Sequence, residues 1–384
     1  MKKISIILLS VYAMCILAGC GNQQADKKVM LKNVDSEEAT INIKVAGDNM
    51  FHSNVLKYGK QEDGTYDFSY MYENIKDYIG SADIAVINQE SAVVSDLKRV
   101  QGYPAFGVPD SICDTLIDVG FDVILQANNH VTDKEQSGVE STIAAWRSRP
   151  QVTYLGIHDT EEDARKIRFV QAKSVKIGML NYTYGVNRET WPMPGQEHMV
   201  DMINEEKMQD DIARAKKLSD MVIVFLHDGT EYTHTPSEDQ KSHINHCIDY
   251  GADIVVCAHP HVIQPYEAVT TPRGNNGLVY YSVGNFVSGQ EKFATLLGGV
   301  ADITLKKEPQ ADGKTKITIT NYGLEPVVTH LDSKAKQVKV YKLRDYTNEL
   351  ASASNYGRKH KKYTVQDMWD LYNKVVNSEA VSEE

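Results

Sequence analysis

The chain has 384 residues, with 52 acidic and 41 basic side chains and a formal net charge of −11. Its hydrophobic share of 42% and charged share of 24% are typical of globular proteins, which argues against disordered, collagen-like and coiled-coil classes. The acidic balance argues against a nucleic-acid partner, because non-specific binding to phosphates needs an excess of Lys and Arg. The length allows one large α/β domain or two of medium size.

The first twenty residues have the pattern of a secretion signal that ends in a lipidated cysteine. Lys2 and Lys3 precede an apolar run over residues 4–17, which is short for a membrane-spanning helix. The run ends in LAGC at positions 17–20, which resembles the bacterial lipobox. We expect a signal peptide over residues 1–19, a lipid on Cys20, and attachment to the extracytoplasmic face of the cell membrane. An uncleaved anchor would also place the body outside the cytoplasm.

Residues 21–40 are polar and lack periodicity, which predicts a tether. From Ile41 onward, short apolar runs alternate with helix-like stretches, and this alternation predicts an α/β fold with much parallel sheet. The predicted strands cover residues 41–47, 83–88, 122–128, 152–156, 176–183, 221–227, 253–259, 277–284 and 298–305. The predicted helices are Phe68–Ile79, Ser111–Val119, Gly138–Arg147, Asn204–Leu218 and Glu238–Tyr250.

After about residue 306 the pattern changes. Residues 314–323 and 336–343 alternate apolar and polar side chains, as a half-exposed antiparallel pair would. A last helix is predicted to start near Thr364, with Asp367 three residues on completing the cap. We interpret residues 41–306 as the main domain and 307–384 as an α+β appendage that lies outside any site.

Five predicted strands end in side chains that suit metal ions. These strand ends are Asp48, Asn88–Glu90, Asn128–His130, His227 and His259–His261. Ligands bind outside the carboxyl ends of strands in open α/β sheets, and this donor set suits borderline divalent ions. Each piece alone is more often a turn residue or a hydrogen-bonded structural group. Their occurrence together in one ordered series favours a site, in which we expect the two His side chains of residues 259–261 to lie on one side of an extended chain.

The order of these strand ends resembles that of the calcineurin-like metallophosphatases and, more closely, the poly-γ-glutamate capsule synthesis family of the CapA type. The resemblance covers about residues 41–295. It is carried by AGDNM (46–50), SADIAVINQES (81–91), GFDVILQANNHVTD (120–133), NYTYGVN (181–187), HDGTEY (227–232), GADIVVCAHPHVIQP (251–265) and YYSVGNFVSGQ (280–290). It implies a four-layer α/β/β/α metallophosphatase-like sandwich that acts outside the cytoplasm in capsule or poly-γ-glutamate production or export.

The resemblance also implies roles for single residues. The implied metal ligands are Asp48, Glu90, Asn129, His227, His259 and His261. They would hold two divalent ions, with Glu90 as the bridge, and the residues do not distinguish Mn, Fe and Zn. His130 would be the catalytic acid that protonates a leaving oxygen. Neighbours that could orient the ligands or a substrate are Asn88, Asn128, Glu231, Tyr232 and Asn285.

The chain departs from the phosphatase pattern at two places. Where the phosphatases have Asp-x-His, Met50 stands two residues after Asp48. His52 could supply the missing ligand if a helical turn brought positions i and i+4 together; otherwise the apolar residues before it pack inward and carry it to the surface. The Gly-Asp-x-x-Asp motif is reduced to residues 88–90.

Two classes of function therefore stay open. The first is a metal-dependent hydrolase or transferase that acts on a phosphoester or on an amide of an envelope polymer. The second is a non-catalytic accessory protein that uses the same fold to hold polymer or partner subunits. The expected partners are the membrane, capsule synthase or export subunits, and an anionic polymer. The basic run 358–362 could contact such a polymer or anionic lipid headgroups.

Overall fold

The computed structural model describes residues 37–188, 191–192, 194–310 and 315–377. The predicted signal peptide, Cys20 and most of the predicted tether lie outside these ranges. Among the residues that are described, no helix has the length and apolar character needed to cross a membrane.

The secondary structure follows the predicted alternation of strands and helices. The strands are β1 (Ala39–Asn49), β2 (Ile84–Gln89), β3 (Ala92–Val94), β4 (Gly107–Pro109), β5 (Val123–Leu125), β6 (Thr153–Leu155), β7 (Arg168–Ala172), β8 (Val175–Thr183), β9 (Met221–His227), β10 (Ile254–Ala258), β11 (Tyr266–Thr270), β12 (Asn276–Tyr280), β13 (Asn285–Val287), β14 (Leu297–Pro309), β15 (Thr315–Asp332) and β16 (Gln337–Lys342). The helices are α1 (Ser53–Gly59), α2 (Lys76–Gly80), α3 (Ser111–Val119), α4 (Glu135–Arg147), α5 (Glu161–Ala164), α6 (Glu205–Leu218), α7 (Glu238–Tyr250), α8 (Phe293–Leu296), α9 (Asn348–Ala353), α10 (Asn355–Lys359) and α11 (Val365–Val376).

Two sheets form the centre of the molecule. The first has the order β16-β15-β14-β1-β2-β5-β6, and β13 pairs with the end of β1. The second has the order β11-β12-β10-β9-β8-β7. Strands β1, β2, β5 and β6 are parallel neighbours, as are β8, β9, β10 and β12. The carboxyl ends of the parallel strands within each sheet therefore lie along one edge.

The central strands bury both faces, which explains their continuous apolar sequences. Val86 of β2 and Ile223 of β9 belong to one core between the two sheets. The next residue along β2, Ile87, packs with helices α3 and α4, and the next along β9, Val224, packs with α6 and α7. The layers are thus helix, sheet, sheet and helix, which confirms the predicted four-layer α/β/β/α sandwich.

The predicted helix over 68–79 is interrupted. Residues 69–71 form a 3₁₀ turn and α2 begins only at Lys76. The Asp67 carboxylate accepts a hydrogen bond from the Ser69 backbone at 2.8 Å, which favours a turn over a continuous helix. The apolar residues of this segment are nevertheless buried.

The segment after residue 306 continues the first sheet. The expected domain boundary falls inside β14, which pairs with β1 along one edge and with β15 along the other. Helix α11 begins with the predicted capping box, in which Thr364 and Asp367 satisfy each other's backbone groups. Its residues Met368 and Val375 belong to the core between the sheets. The predicted appendage is therefore joined to the main domain by strand pairing and by shared core.

Candidate metal centre

The strand ends of both sheets bring the predicted ligands together. Asp48 lies in β1, Glu90 follows β2, His227 ends β9, and His259 and His261 follow β10. All five side chains belong to residues that are at most 3% exposed. They form a first group, Asp48, Glu90 and His261, and a second group, Glu90, His227 and His259, and within each group the possible ligand atoms lie within 4.8 Å of one another. Glu90 belongs to both groups, as a bridging ligand would.

A close approach of two backbones positions Asp48. A Cβ added at Gly47 would lie 1.8 Å from the Gly284 carbonyl oxygen, so only glycine fits there. The Asp48 backbone N–H donates to the same carbonyl at 3.0 Å. Gly47 thus lets β1 run against the loop before β13 and fixes where the carboxylate emerges.

Asp48 is held by partners on both of its oxygens. Its Oδ1 accepts from the Asn88 amide at 2.8 Å, and its Oδ2 lies 2.9 Å from Nδ1 of His261. Burial acts to raise the pKa of Asp48, but the hydrogen bond and charge of His261 outweigh it and hold that pKa below its ordinary value. Asp48 is therefore an ionised carboxylate.

The second group centres on two neutral imidazoles. His227 Nε2 lies 2.9 Å from the Asn129 side-chain oxygen and 3.4 Å from Glu90 Oε1, while its Nδ1 lies 3.3 Å from the Asn88 amide. Burial lowers the pKa of His227 well below its ordinary value. Burial, followed by the neighbouring His261, lowers the pKa of His259 to about 4. Neutral imidazole is the form that binds metal ions.

Several buried atoms in this centre have no hydrogen-bond partner in the described part of the chain. They are both carboxylate oxygens of Glu90, Nδ1 of His259 and the side-chain oxygen of Asn88. Burial, and then the charge of Asp48, raise the pKa of Glu90 well above its ordinary value. Because buried polar groups are almost always satisfied, these lone pairs fit a site that binds a cation. Carboxylates and imidazoles suit divalent ions such as Mn, Fe and Zn, so the residues fit the expected metal.

The expectation of an extended chain at the two histidines is wrong. His259 has φ 105° and His261 has φ 59°, both in the left-handed region that non-glycine residues rarely adopt. The turn is held by the Tyr232 backbone N–H, which donates to the Pro260 carbonyl at 2.8 Å. It directs His261 to Asp48 and His259 to the second group. Backbone strain of this kind collects at functional sites.

The structure does not bring His52 into either group. The helical turn begins only at α1, so His52 is its N-cap residue, with φ −60° and ψ 163°. Its Nδ1 accepts from the Gly289 backbone at 3.2 Å, and its ring packs edge-on against Phe106. Met50, which stands at the phosphatase His position, is buried. His52 therefore lines the neighbouring cleft and does not replace the missing histidine.

His130 forms a pair with a carboxylate that sequence reasoning had not singled out. Its Nδ1 lies 2.7 Å from Asp133 Oδ2, and its ring packs against Phe106. The Asn187 amide lies 3.2 Å from Nδ1 and 3.4 Å from Nε2 of the same ring. Asp133 thus fixes the orientation of His130 at the wall of the cleft. The signal for Asp133 was its spacing of three residues from His130 inside the segment 120–133.

The other predicted neighbours divide into two kinds. Asn128 shapes the loop, because its amide donates to the Gln89 carbonyl at 3.1 Å and its oxygen accepts from the His130 backbone at 3.1 Å. Asn285 lies beside Asp48 in the strand register, but its amide donates to the Thr295 carbonyl at 3.0 Å. The amides of these two residues thus support the backbone around the centre.

Glu231 and Tyr232 instead lie at the mouth of the centre. Glu231 is exposed and forms a third possible ligand group with His259 and His261. Tyr232 has φ 64°, and its hydroxyl accepts from the Gln290 amide at 3.3 Å. The cleft next to the metal centre, called the metal cleft below, has a volume of about 560 Å³. It is lined by Met50, His52, Tyr103, Pro104, Ala105, Phe106, Asn129, His130, Asp133, Asn187, Arg188, Glu231, Tyr232, His261 and Gln290.

Comparison with known proteins decides the family. Residues 42–290 match the family described as bacterial capsule synthesis protein PGA_cap. The chain belongs to this PGA_cap family. The matched range contains every residue of the metal centre, and it ends at Gln290 of the metal cleft.

Two PGA_cap relatives come from Bacillus. The capsule biosynthesis protein CapA of Bacillus anthracis is 25% identical over 372 residues, which cover 94% of this chain and 85% of that protein. The PGA biosynthesis protein CapA of Bacillus subtilis strain 168 is 30% identical over 247 residues, which cover 64% of this chain and 60% of that protein. Among solved structures, NAD nucleotidase NadN of Haemophilus influenzae is 12% identical, covering 88% of this chain and 67% of that one, with a TM-score of 0.44. A likeness this weak carries no argument about function.

Proposed function

We propose that this chain is a metal-dependent hydrolase or transferase that acts on a phosphoester or amide bond of a capsule polymer. The polymer class is taken from the poly-γ-glutamate relatives. The observation that carries the proposal is Glu90. It is a fully buried carboxylate, shared by two groups of ligand atoms, and no residue in the described part of the chain donates a hydrogen bond to it. An accessory protein that only grips polymer has no need to bury such a group.

The residues divide the work between metal binding and proton transfer. Asp48, Glu90 and His261 would hold one divalent ion, and Glu90, His227 and His259 the other, with Asn129 beside His227. Such ions supply Lewis-acid polarisation of the bond to be broken and activation of water at neutral pH.

His130 donates a proton from its ring to the leaving oxygen or nitrogen of the substrate. Asp133 accepts the hydrogen bond from Nδ1 of the ring, so Nε2 is the nitrogen that makes this transfer. Proton transfer of this kind contributes about 10²- to 10⁴-fold to a rate.

The proposed location is the extracytoplasmic face of the cell membrane, with the body held there by a lipid on Cys20. The support is the sequence of the first twenty residues, in which charge, apolar run and cysteine stand at the spacing of a lipobox. Cys20→Ser should yield protein that is not lipidated and keeps its signal. Membrane-bound Cys20→Ser protein of the processed size would contradict this.

The test of the catalytic proposal compares three variants of the full chain. We expect about two divalent ions per wild-type chain by elemental analysis. His259→Ala should lose an ion and abolish turnover. His130→Ala should keep both ions and lose turnover by roughly 10²- to 10⁴-fold. His246→Ala, a half-buried histidine of α7 outside the centre, is the matched control and should behave like wild type.

Two results would reject the enzyme. One is wild-type protein that binds no divalent ion under any metal supply. The other is normal capsule formation by cells that carry only His130→Ala, because a polymer-holding protein has no use for a proton donor.

A further inference from the structure

A second cleft, called the C-terminal pocket below, lies at the basic run that the metal centre leaves unexplained. It has a volume of about 440 Å³ and is lined by Phe293, Tyr356, His360, Lys361, Lys362, Tyr363 and Asp367. Its rings form a cluster: Phe293 lies 5.6 Å from Tyr356 and 5.7 Å from Tyr363, and Tyr356 stacks on His360 at 4.2 Å. The pocket thus offers an aromatic floor.

The rim of this pocket carries positive charge that is not compensated. Arg358 pairs with Asp332, and Lys359 pairs with Glu291. Lys361 and Lys362 are exposed and form no ion pair with any residue of the described ranges.

The pocket's own acidic residue offsets at most one of these two charges. Asp367 Oδ2 accepts from the Thr364 backbone at 2.7 Å and from its hydroxyl at 2.8 Å. Its carboxylate is thereby committed to capping α11. Two free ammonium groups above an aromatic floor suit an anionic ligand with apolar parts.

The lining residues of the C-terminal pocket and of the metal cleft come close together along the chain. Gln290 lines the metal cleft and Phe293 lines the C-terminal pocket, and three residues of backbone span at most about 11 Å. Between them, Lys292 is exposed and places its Nζ 3.9 Å from the ring centre of Tyr232 at the mouth of the metal cleft. A third ammonium group therefore lies at the mouth of the metal cleft, on the residue that precedes Phe293 of the C-terminal pocket.

We propose that Lys292, Lys361 and Lys362, with the aromatic floor, bind the continuation of an anionic polymer chain whose reacting bond lies in the metal cleft. This rests on the proposed function. A polymer with a carboxylate on each repeat can pair with successive ammonium groups while its aliphatic parts lie on the rings. Anionic lipid is the less favoured ligand, because a headgroup site gains nothing from a position close to the metal cleft.

The experiment measures polymer binding by full-length protein in neutral detergent. The probes are long poly-γ-glutamate, a γ-glutamyl dipeptide, and phosphatidylglycerol in mixed micelles as a competitor. Lys361→Gln/Lys362→Gln should weaken binding of the long polymer by roughly tenfold, as two exposed charge contacts would, and reduce its salt dependence. Lys217→Gln/Lys316→Gln removes two exposed lysines that line neither cleft, and this control should bind like wild type.

The outcomes separate this proposal from the one on which it rests. Metal content and turnover of the dipeptide report on the metal centre, and the lysine variants should leave both unchanged. Equal binding of the long polymer by the test and control variants would overturn the polymer site even if the centre is active. Lysine variants that lose phosphatidylglycerol binding and keep polymer binding would overturn it in favour of a lipid site.

Discussion

Two buried polar clusters in this molecule use the same residue types and differ in how their charges are balanced. In the second cluster, His158 places Nε2 2.7 Å from Asp201 and Nδ1 3.6 Å from Asp163, and Arg168 donates two hydrogen bonds to Asp163. Burial alone would lower the pKa of His158, but the charges of the carboxylates raise it to about 9. In the metal centre, burial leaves His227 and His259 neutral.

The difference shows what each cluster is for. The His158 cluster contains its own cations, including Lys207, which lies 3.3 Å from Asp201. Its carboxylates are therefore paired with cations of the chain itself. In the metal centre, no Lys or Arg of the described ranges forms an ion pair with Asp48 or Glu90, and within the same ranges Glu90 has no hydrogen-bond donor. The cation that balances the charge of the metal centre must therefore be an ion bound from solution.

The strongest test of this contrast is Glu90→Gln, measured with and without metal. Affinity for divalent ions should fall by roughly a hundredfold or more, because both ligand groups lose a shared carboxylate. Without metal, the variant should be at least as stable as wild type, because an amide replaces a buried carboxyl group that is costly to ionise beside Asp48. Titration calorimetry and urea denaturation measure the two effects. Metal-free Glu90→Gln that is much less stable than wild type would show that Glu90 is satisfied inside the chain.

His158→Gln should lower the stability of the protein, in contrast to Glu90→Gln. The pKa of His158 is raised from 6.5 to about 9, so its stabilisation is complete below pH 6.5 and is lost as pH rises through 9. The shift corresponds to roughly 3 kcal/mol of unfolding free energy at low pH. Urea denaturation of metal-loaded protein at pH 6 and pH 10 should show this loss in wild type and His246→Gln, but not in His158→Gln. If His158→Gln lost as much unfolding free energy between pH 6 and pH 10 as wild type, a group other than His158 would cause the pH dependence.

Asp133→Asn tests whether the His130–Asp133 pair, unlike the His158–Asp201 pair, contributes to turnover. Both have a ring nitrogen 2.7 Å from a carboxylate, but only His130 lines the metal cleft. We expect turnover to fall by roughly a hundredfold with metal content unchanged, because the ring loses its fixed orientation. The pH–rate profile should shift as well. A loss of ions would instead assign Asp133 to the metal centre.

His52→Ala should have the smallest effect. The side chain contacts Phe106 and the Gly289 backbone but belongs to neither ligand group. Elemental analysis should find as many ions as in wild type, with stability lowered by about 1 kcal/mol for the lost contact. Loss of one ion from this variant would show that His52 is a metal ligand.

The strand ends of the centre could be predicted because they depend on local pattern. Apolar runs followed by Asp48, Glu90, His227 and His259 identify parallel strands, and parallel strands in one sheet share a carboxyl edge. The layer order follows from the same runs, since strands that are apolar throughout need cover on both faces.

The parts that could not be predicted depend on contacts across long stretches of sequence. The position of His52 is set by the Gly289 backbone, 237 residues away. The left-handed turn at His259 and His261 is held by a hydrogen bond from the Tyr232 backbone. A histidine in the sequence does not indicate a positive φ. The alternation in β15 and β16 identified strands, but not which sheet they would join.

The position of β1 in the middle of the first sheet has a consequence for the timing of assembly. One edge of β1 pairs with β2, and the other pairs with β14, so that Ala39 lies opposite Lys307. A chain that emerges from its N-terminus therefore cannot pair both edges of β1 until β14, which ends at residue 309 of 384, is free. The strand that carries Asp48 therefore lacks one of its two neighbouring strands during most of synthesis. Metal capture is then a late step, and a chain cut short before β14 carries ligands without a centre to hold them.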